Sequence, residues 1–151
     1  KATQPALDAQ VAGHAMAKRY LAVVQGRFPS GEKVIEQPLG RDRHDARRMR
    51  VCAPGRGKPA LTRVRCLAYA GGRSLLAVEL GSGRKHQIRV HLAHLGFPIV
   101  GDTLYSGARS ASGLLLHAFE EELEHPSTHE RLCLRTAWPA RLGAWDPALW
   151  G

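Results

Sequence analysis

The stretch "TRVRCLAYAGGRSLLAVEL" (62–80) constrains the fold more than any other. Two runs rich in strand-forming residues flank Gly71 and Gly72. A Gly-Gly pair supplies the backbone angles of a tight two-residue turn, so the two runs are expected to lie side by side as an antiparallel hairpin. In the first run Val64, Cys66 or Leu67, and Ala68 stand among polar residues, the alternation of a strand with one covered face.

Other segments carry the same signature. The spacing predicts strands over 17–26, where Tyr20, Val23 and Val24 precede Gly26, and over 31–39, which runs into Pro38. Residues 41–51 are densely charged and read as a mobile loop ending in a strand at 49–52. Two more strands are expected over 113–123 and 130–139, joined at His125-Pro126. Helical composition marks 5–14, with Pro5 in a first turn and Gly13 near the stop. A second helix is read from Ile88, Leu92 and Leu95, which share one stripe. The tail from 139 to 151 holds Trp145 and Trp150 without a clear period. No repeat or long linker divides the 151 residues, so one domain is expected. Its class is α+β: a mixed, largely antiparallel sheet with flanking helices.

The second helix opens unusually. "SGRKHQIRVHLAHLG" (82–96) places Arg84, Lys85, His86 and Arg89 at its start, where the helix dipole favours acidic residues. The whole chain leans the same way. Lys and Arg number 22 against 13 Asp and Glu, a formal net charge of +9, and the pI is about 10.2. Such a surplus fits a nucleic-acid partner, because cations that neutralise phosphates release counterions. No apolar run reaches the roughly 20 residues of a membrane helix, and the start shows no apolar leader core. Cys52, Cys66 and Cys133 are widely spaced and odd in number, against a disulfide framework and in keeping with a reducing, cytoplasmic setting. His86, His91 and His94 lie close together but lack a metal-site spacing or a nearby carboxylate, so packing or RNA contact is the better reading and no metal or cofactor is expected.

"GRKHQIRVHLAHLGFPIVGDTLY" (83–105) resembles the third sequence motif of the RluA-type pseudouridine synthases, which isomerise uridine to pseudouridine in ribosomal and transfer RNA. "AKRYLAVVQG" (17–26) resembles their second motif, and "IEQPLGRD", "GKPALTRVRCL", "SLLAVEL", "LLLHAFEEELEHPST" and "WPARL" succeed it in the family's order, from about Lys18 to Leu142. The resemblance implies the pseudouridine synthase fold and a cofactor-free RNA-modifying enzyme, monomeric in most of the family. It gives Arg89 the role of pairing with the nucleophilic aspartate, for which a guanidinium fork suits a buried carboxylate. It gives Tyr20 the role of stacking on the flipped uracil and relaying a proton, and Leu116 the floor of the base pocket. Arg84, Lys85, His86 and Lys18 would meet RNA phosphates; Arg19, Arg41, Arg43, Arg47 and Arg48 would extend that track.

The family's His-Arg-Leu-Asp stretch, which carries the nucleophile, has no counterpart here. "SASGLLL" (110–116) echoes the Thr-Ser-Gly and apolar run that come after that stretch in the family, yet Ala108 stands where the aspartate would be. Asp8, Asp42, Asp45, Asp102 and Asp146 do not match the nucleophile position. The chain therefore resembles the C-terminal portion of a synthase catalytic domain, 1–151 without the catalytic-Asp motif, and by itself is expected to be inactive. A sheet cut behind its catalytic strand would expose unpaired edges, which favours a further N-terminal segment over natural loss of the motif. The competing function is a non-catalytic RNA-binding domain descended from such a synthase. A helix-turn-helix reading of 84–95 is opposed by the surrounding strands.

Overall fold

The computed structural model describes residues 17–151 apart from Ser82. The expected helix over 5–14 lies outside the described residues.

Strand β5 (Thr62–Ala70) turns through Gly71 and Gly72, at φ 59° and 77°, into β6 (Arg73–Leu80). These are the left-handed angles that the Gly-Gly pair supplies without steric cost. The register shifts between Cys66 and Ala68. Leu67 is the extra residue of that bulge, which explains why the alternation could not choose between Cys66 and Leu67. Strand β1 (Ala17–Gln25) pairs β6 on one side and β7 (Leu116–Glu124) on the other. Strands β2 (Glu32–Ile35) and β8 (Arg131–Arg135) close the edges, giving the order β2-β5-β6-β1-β7-β8. Every pairing among the described strands is antiparallel.

The centre of β1 carries the core: Leu21, Ala22, Val23 and Val24 are fully buried, with Leu75 and Leu76 of β6 and Leu92 and Ile99 beyond. Backbone hydrogen bonds lace Val23 to Leu115, Leu115 to Val100, and Val100 back to Val23. This closed circuit fixes the approach to β7. Arg141, in the single turn Ala140–Leu142, donates to the carbonyls of Leu114 (2.8 Å) and Leu116 (2.7 Å) and holds the same segment from the other side. The tail tryptophans without period are packed: Trp150 meets Phe119 edge-on at 4.7 Å, as Trp138 does at 5.4 Å, and Trp145 Nε1 donates to the Leu142 carbonyl at 3.0 Å.

Helix α1 spans Gln87–His94. Ile88 and Leu92 are buried as the stripe requires, but Leu95 is 40% exposed. Gly96 at φ 89° ends the helix: Gly96 N–H donates to Ala93 and Phe97 N–H to Leu92. This glycine-closed end places Leu95 outside the helical stripe, while Phe97 just beyond it packs against the core cluster that includes Ile88 and Leu92. The charged segment expected to be mobile is an ordered hairpin, β3 (Leu39–Arg41) to β4 (Met49–Val51). Asp42 Oδ1 accepts from the backbone N–H of His44 and Asp45, and Asp45 Oδ1 from that of Arg47. Charge density suggested a loose loop, but short aspartate side chains build turns from their own backbone.

Candidate active site

Strand alternation puts Lys18 and Tyr20 on one face of β1, with their cross-strand partners Leu80 and Val78. Leu116, opposite Ala22, belongs to that face as well. The entry to α1 closes over it. The result is a cleft of about 410 Å³ lined by Lys18, Tyr20, Leu80, Gly83, Arg84, Lys85, His86, Gln87, Ile88, Arg89, Leu114 and Leu116. All seven residues singled out from sequence (Arg89, Tyr20, Leu116, Arg84, Lys85, His86 and Lys18) therefore come together in one place.

The helix entry is built on buried polar contacts. Gln87, 2% exposed, donates through Nε2 to the Leu61 carbonyl and to Thr62 Oγ1, and its Oε1 accepts the Arg84 N–H. His91, fully buried, lies 2.8 Å from the Gln37 carbonyl through Nε2 and 2.7 Å from Thr62 Oγ1 through Nδ1. A carbonyl only accepts, so Nε2 carries the proton and Thr62 donates to Nδ1. His91 is thus a neutral core residue, its pKa lowered by burial, whereas His94 is exposed. Among the described residues no cluster of His, Cys, Asp or Glu could hold a metal ion.

Arg89 meets an internal carboxylate. Its Nε and Nη2 each donate to Asp102, both at 2.8 Å. The Asp102 side chain is 0% exposed and that of Arg89 20%, and the hydrogen bonds to Asp102 raise the guanidinium pKa. Asp102 is delivered by Gly101, at φ 88°, where a Cβ would overlap the Gly113 carbonyl. Nη1 of Arg89 has no hydrogen-bond partner among the described residues. Just beyond, Tyr105 is 3% exposed, with the guanidinium groups of Arg89 and Arg48 each 5.2 Å from its ring.

The cleft is cationic at its rim. Among the described residues Lys18, Arg84 and Lys85 have no carboxylate partner; Arg84 Nε donates to the Pro59 carbonyl. Its floor is apolar, from Leu80, Ile88, Leu114 and Leu116, and Tyr20 stands in its wall. Burial raises the Tyr20 pKa, with help from Glu121, so the phenol is a proton donor at neutral pH. Glu121 lies in an adjoining cavity of about 350 Å³ that shares Lys18 and Tyr20. No described carboxylate lines the cleft itself.

Arg19 does not join this track. It sits on the opposite face of β1, bound to Glu79, Glu120 and Glu122, because odd and even residues of a strand point to opposite sides. Arg47 is paired with Asp45. Sequence reasoning missed Asp102, Tyr105, Gln87 and Arg141. The first two stand in "GDTLY" of the quoted motif, so a signal existed; for Arg141 there was only its place in "WPARL".

An apolar floor, a protonated phenol and a cationic rim suit a flat base on an anionic backbone. Comparison with known proteins agrees. The family model described as RNA pseudouridylate synthase matches residues 1–94, which reach from before β1 through α1. The chain belongs to the RNA pseudouridylate synthase family. A pseudouridylate synthase relative from Chloroflexus aurantiacus, "Uncharacterized RNA pseudouridine synthase", is 50% identical over 114 residues, 74% of this chain and 35% of its own length. "Ribosomal large subunit pseudouridine synthase D" of Borreliella burgdorferi is 41% identical over 110 residues, 71% of this chain and 33% of its own. The chain thus spans about a third of the length of these curated relatives. Among solved structures, "Human RNA Pseudouridylate Synthase Domain Containing 1" superposes with a TM-score of 0.71 at 30% identity, covering 85% of this chain and 58% of that one. The α+β expectation and the RluA-type resemblance are both borne out.

Proposed function

We propose that the protein carrying this chain isomerises uridine to pseudouridine in ribosomal or transfer RNA, and that the cleft at Tyr20 and Arg89 holds the flipped uridine. The observation that carries the reading is the convergence of Lys18, Tyr20, Arg84, Arg89 and Leu116 on one cleft in a chain of this family. Lys18, Arg84 and Lys85 hold the phosphates. Leu116 supports the base, and Tyr20 stacks on it and, once the new C–C bond has formed, relays a proton, its hydroxyl giving one to the ring nitrogen freed from the sugar and taking up the one that leaves C5. The reaction breaks an N–C glycosidic bond and requires a carboxylate at the sugar. Asp102 cannot serve, being fully buried behind Arg89. In this reading the nucleophile comes from a segment outside these 151 residues, since none of their aspartates matches the family's nucleophile position, and it meets Arg89 on its Nη1 side, while Asp102 holds the other edge of the fork. The enzyme works in the cytoplasm as a monomer and needs no cofactor; among the described residues no helix is long and apolar enough to cross a membrane.

The test is chemical detection of pseudouridine in ribosomal and transfer RNA treated with the native protein and, separately, with residues 1–151 alone. Formation by the native protein and none by the shorter chain is the expected pair of results. Turnover by the 151 residues alone would place the nucleophile among them. A native protein that binds RNA and never isomerises it would favour an RNA clamp.

A further inference from the structure

Among the described residues other than glycine, only His86, Ser106 and His129 have positive φ. His86, at φ 57° and ψ 20°, caps α1 without any capping hydrogen bond from its side chain. A residue with a Cβ is strained there, and the ring does not repay the strain by helping the helix. Instead it points its Nδ1 to Tyr105 Oη, 2.7 Å away, with the two rings edge to face at 5.6 Å.

Proton accounting at Tyr105 settles the state of that ring. The Met49 N–H donates to Oη at 2.8 Å. Tyr105 is 3% exposed, so its own hydroxyl proton needs an acceptor within the protein. His86 Nδ1 is the acceptor the structure provides. Oη–H therefore donates to Nδ1, and the ring proton sits on Nε2. Nε2 has no hydrogen-bond partner among the described residues, and His86 lines the cleft between Lys85 and Gln87.

We propose that His86 presents its Nε2–H to the cleft as an uncharged donor to a carbonyl oxygen of the base held there. This rests on reading the cleft as a uridine site. A base carbonyl fits better than a phosphate. An anion would call for the imidazolium, which needs a second ring proton where the Tyr105 proton already points. The charges around the ring also oppose the imidazolium: Lys85 and Arg89 from its own segment, with Asp102 the one opposing charge from the turn before Tyr105. Burial, then those two cations, lower its pKa. Phosphates have Lys18, Arg84 and Lys85 nearby. The strained backbone is thus spent on aiming a donor, as at other functional sites.

Two measurements on the native protein test this. In ¹⁵N-histidine NMR at pH 7, His86 should be protonated at Nε2 and bare at Nδ1; Tyr105→Phe, which keeps the ring but removes the hydroxyl, should release that preference. A Nδ1–H tautomer or an imidazolium would overturn the proposal. The second is the affinity of a short oligouridylate across a salt series. His86→Leu should weaken binding about tenfold, the range for a lost hydrogen bond, and leave the salt slope unchanged. His86→Gln, which keeps an uncharged N–H, should recover most of it. Unchanged affinity in His86→Leu, or a slope reduced by about 0.7 as for one lost phosphate contact, would overturn it. Thermal melting accompanies each variant, and the NMR result stands even if His86→Leu folds poorly. Pseudouridine formation by the unaltered protein is scored separately: its absence beside His86-dependent uridine binding would overturn only the synthase reading.

Discussion

Adjacent residues of β1 lead to two arginine–carboxylate clusters of opposite design. On one face, Arg19 binds Glu79, Glu120 and Glu122, and Glu120 also binds Arg135. Burial works against ionisation of Glu120, but Arg135 and Arg19 outweigh it and hold its pKa below the ordinary carboxylate range. Charge there is balanced within the sheet. On the face of Lys18 and Tyr20, Arg89 has one carboxylate, Asp102, and the cations around it have none. The difference teaches where a ligand belongs. A closed network rigidifies strands and offers nothing outward, whereas an arginine held along one edge beside unpaired cations leaves positive charge facing a cleft.

Breaking the sparse cluster should cost most. Asp102→Asn leaves the Arg89 guanidinium with a neutral partner in a buried setting, so unfolding free energy should fall by about 3–5 kcal/mol, read by denaturant titration. Glu120→Gln in the dense cluster should cost less, about 1–3 kcal/mol, because Arg19 keeps Glu79 and Glu122. Equal losses would show that the number of partners does not decide the matter. The buried His91 sharpens the contrast through pH. Its pKa is lowered in the folded state, so the unfolded chain binds the proton more readily. Stability is complete above the unfolded imidazole value of about 6.5 and declines as the pH falls toward the folded value, by at most about 1.4 kcal/mol per pH unit. Denaturation midpoints at pH 7.5 and 5.5 should differ in that sense, and by less in His91→Asn. A subtler effect concerns RNA. Neutralising Lys18, Arg84 and Lys85 together should flatten the slope of log affinity against log salt by about 2, at roughly 0.7 per phosphate. The same treatment of Arg131 and Arg135, on the far strand, should leave the slope unchanged.

Much of the fold was legible because its signals are local. The Gly-Gly turn named the β5–β6 hairpin, alternation marked β5, and the strand formers Tyr20, Val23 and Val24 before Gly26 marked β1. Leu95 was misread because a helix stripe extrapolates past a terminator, and Gly96 decides where it stops. The 41–51 hairpin was misread because charge was weighed and the turn-building of Asp42 and Asp45 was not. At the site, family resemblance located the residues that line the cleft, but the alternation of the 17–26 strand was not applied to its basic pair: Lys18 and Arg19 looked equally basic in sequence, and alternation sends them to opposite faces. The partner of Arg89 was hidden for a similar reason. Asp102 lies beyond the end of α1 and reaches Arg89 only because the chain reverses at Gly96 and again at Gly101. Tyr105 could not be assigned at all without the third dimension, since its importance lies in joining Met49, His86 and two guanidinium groups.

The most direct test of the contrast between the two faces is a matched pair of substitutions in the native protein, Arg89→Lys and Arg19→Lys, assayed for single-turnover pseudouridine formation, RNA affinity and melting temperature. Lysine keeps the charge and loses the planar two-donor fork. We expect Arg89→Lys to slow the reaction by about 10²-fold or more, the scale of a misplaced reacting group, with RNA affinity nearly unchanged, and Arg19→Lys to shift the melting temperature while turning over at close to the parent rate. An Arg89→Lys protein that melts normally and reacts at the parent rate would contradict the assignment of Arg89, and with it the link between this cleft and the chemistry.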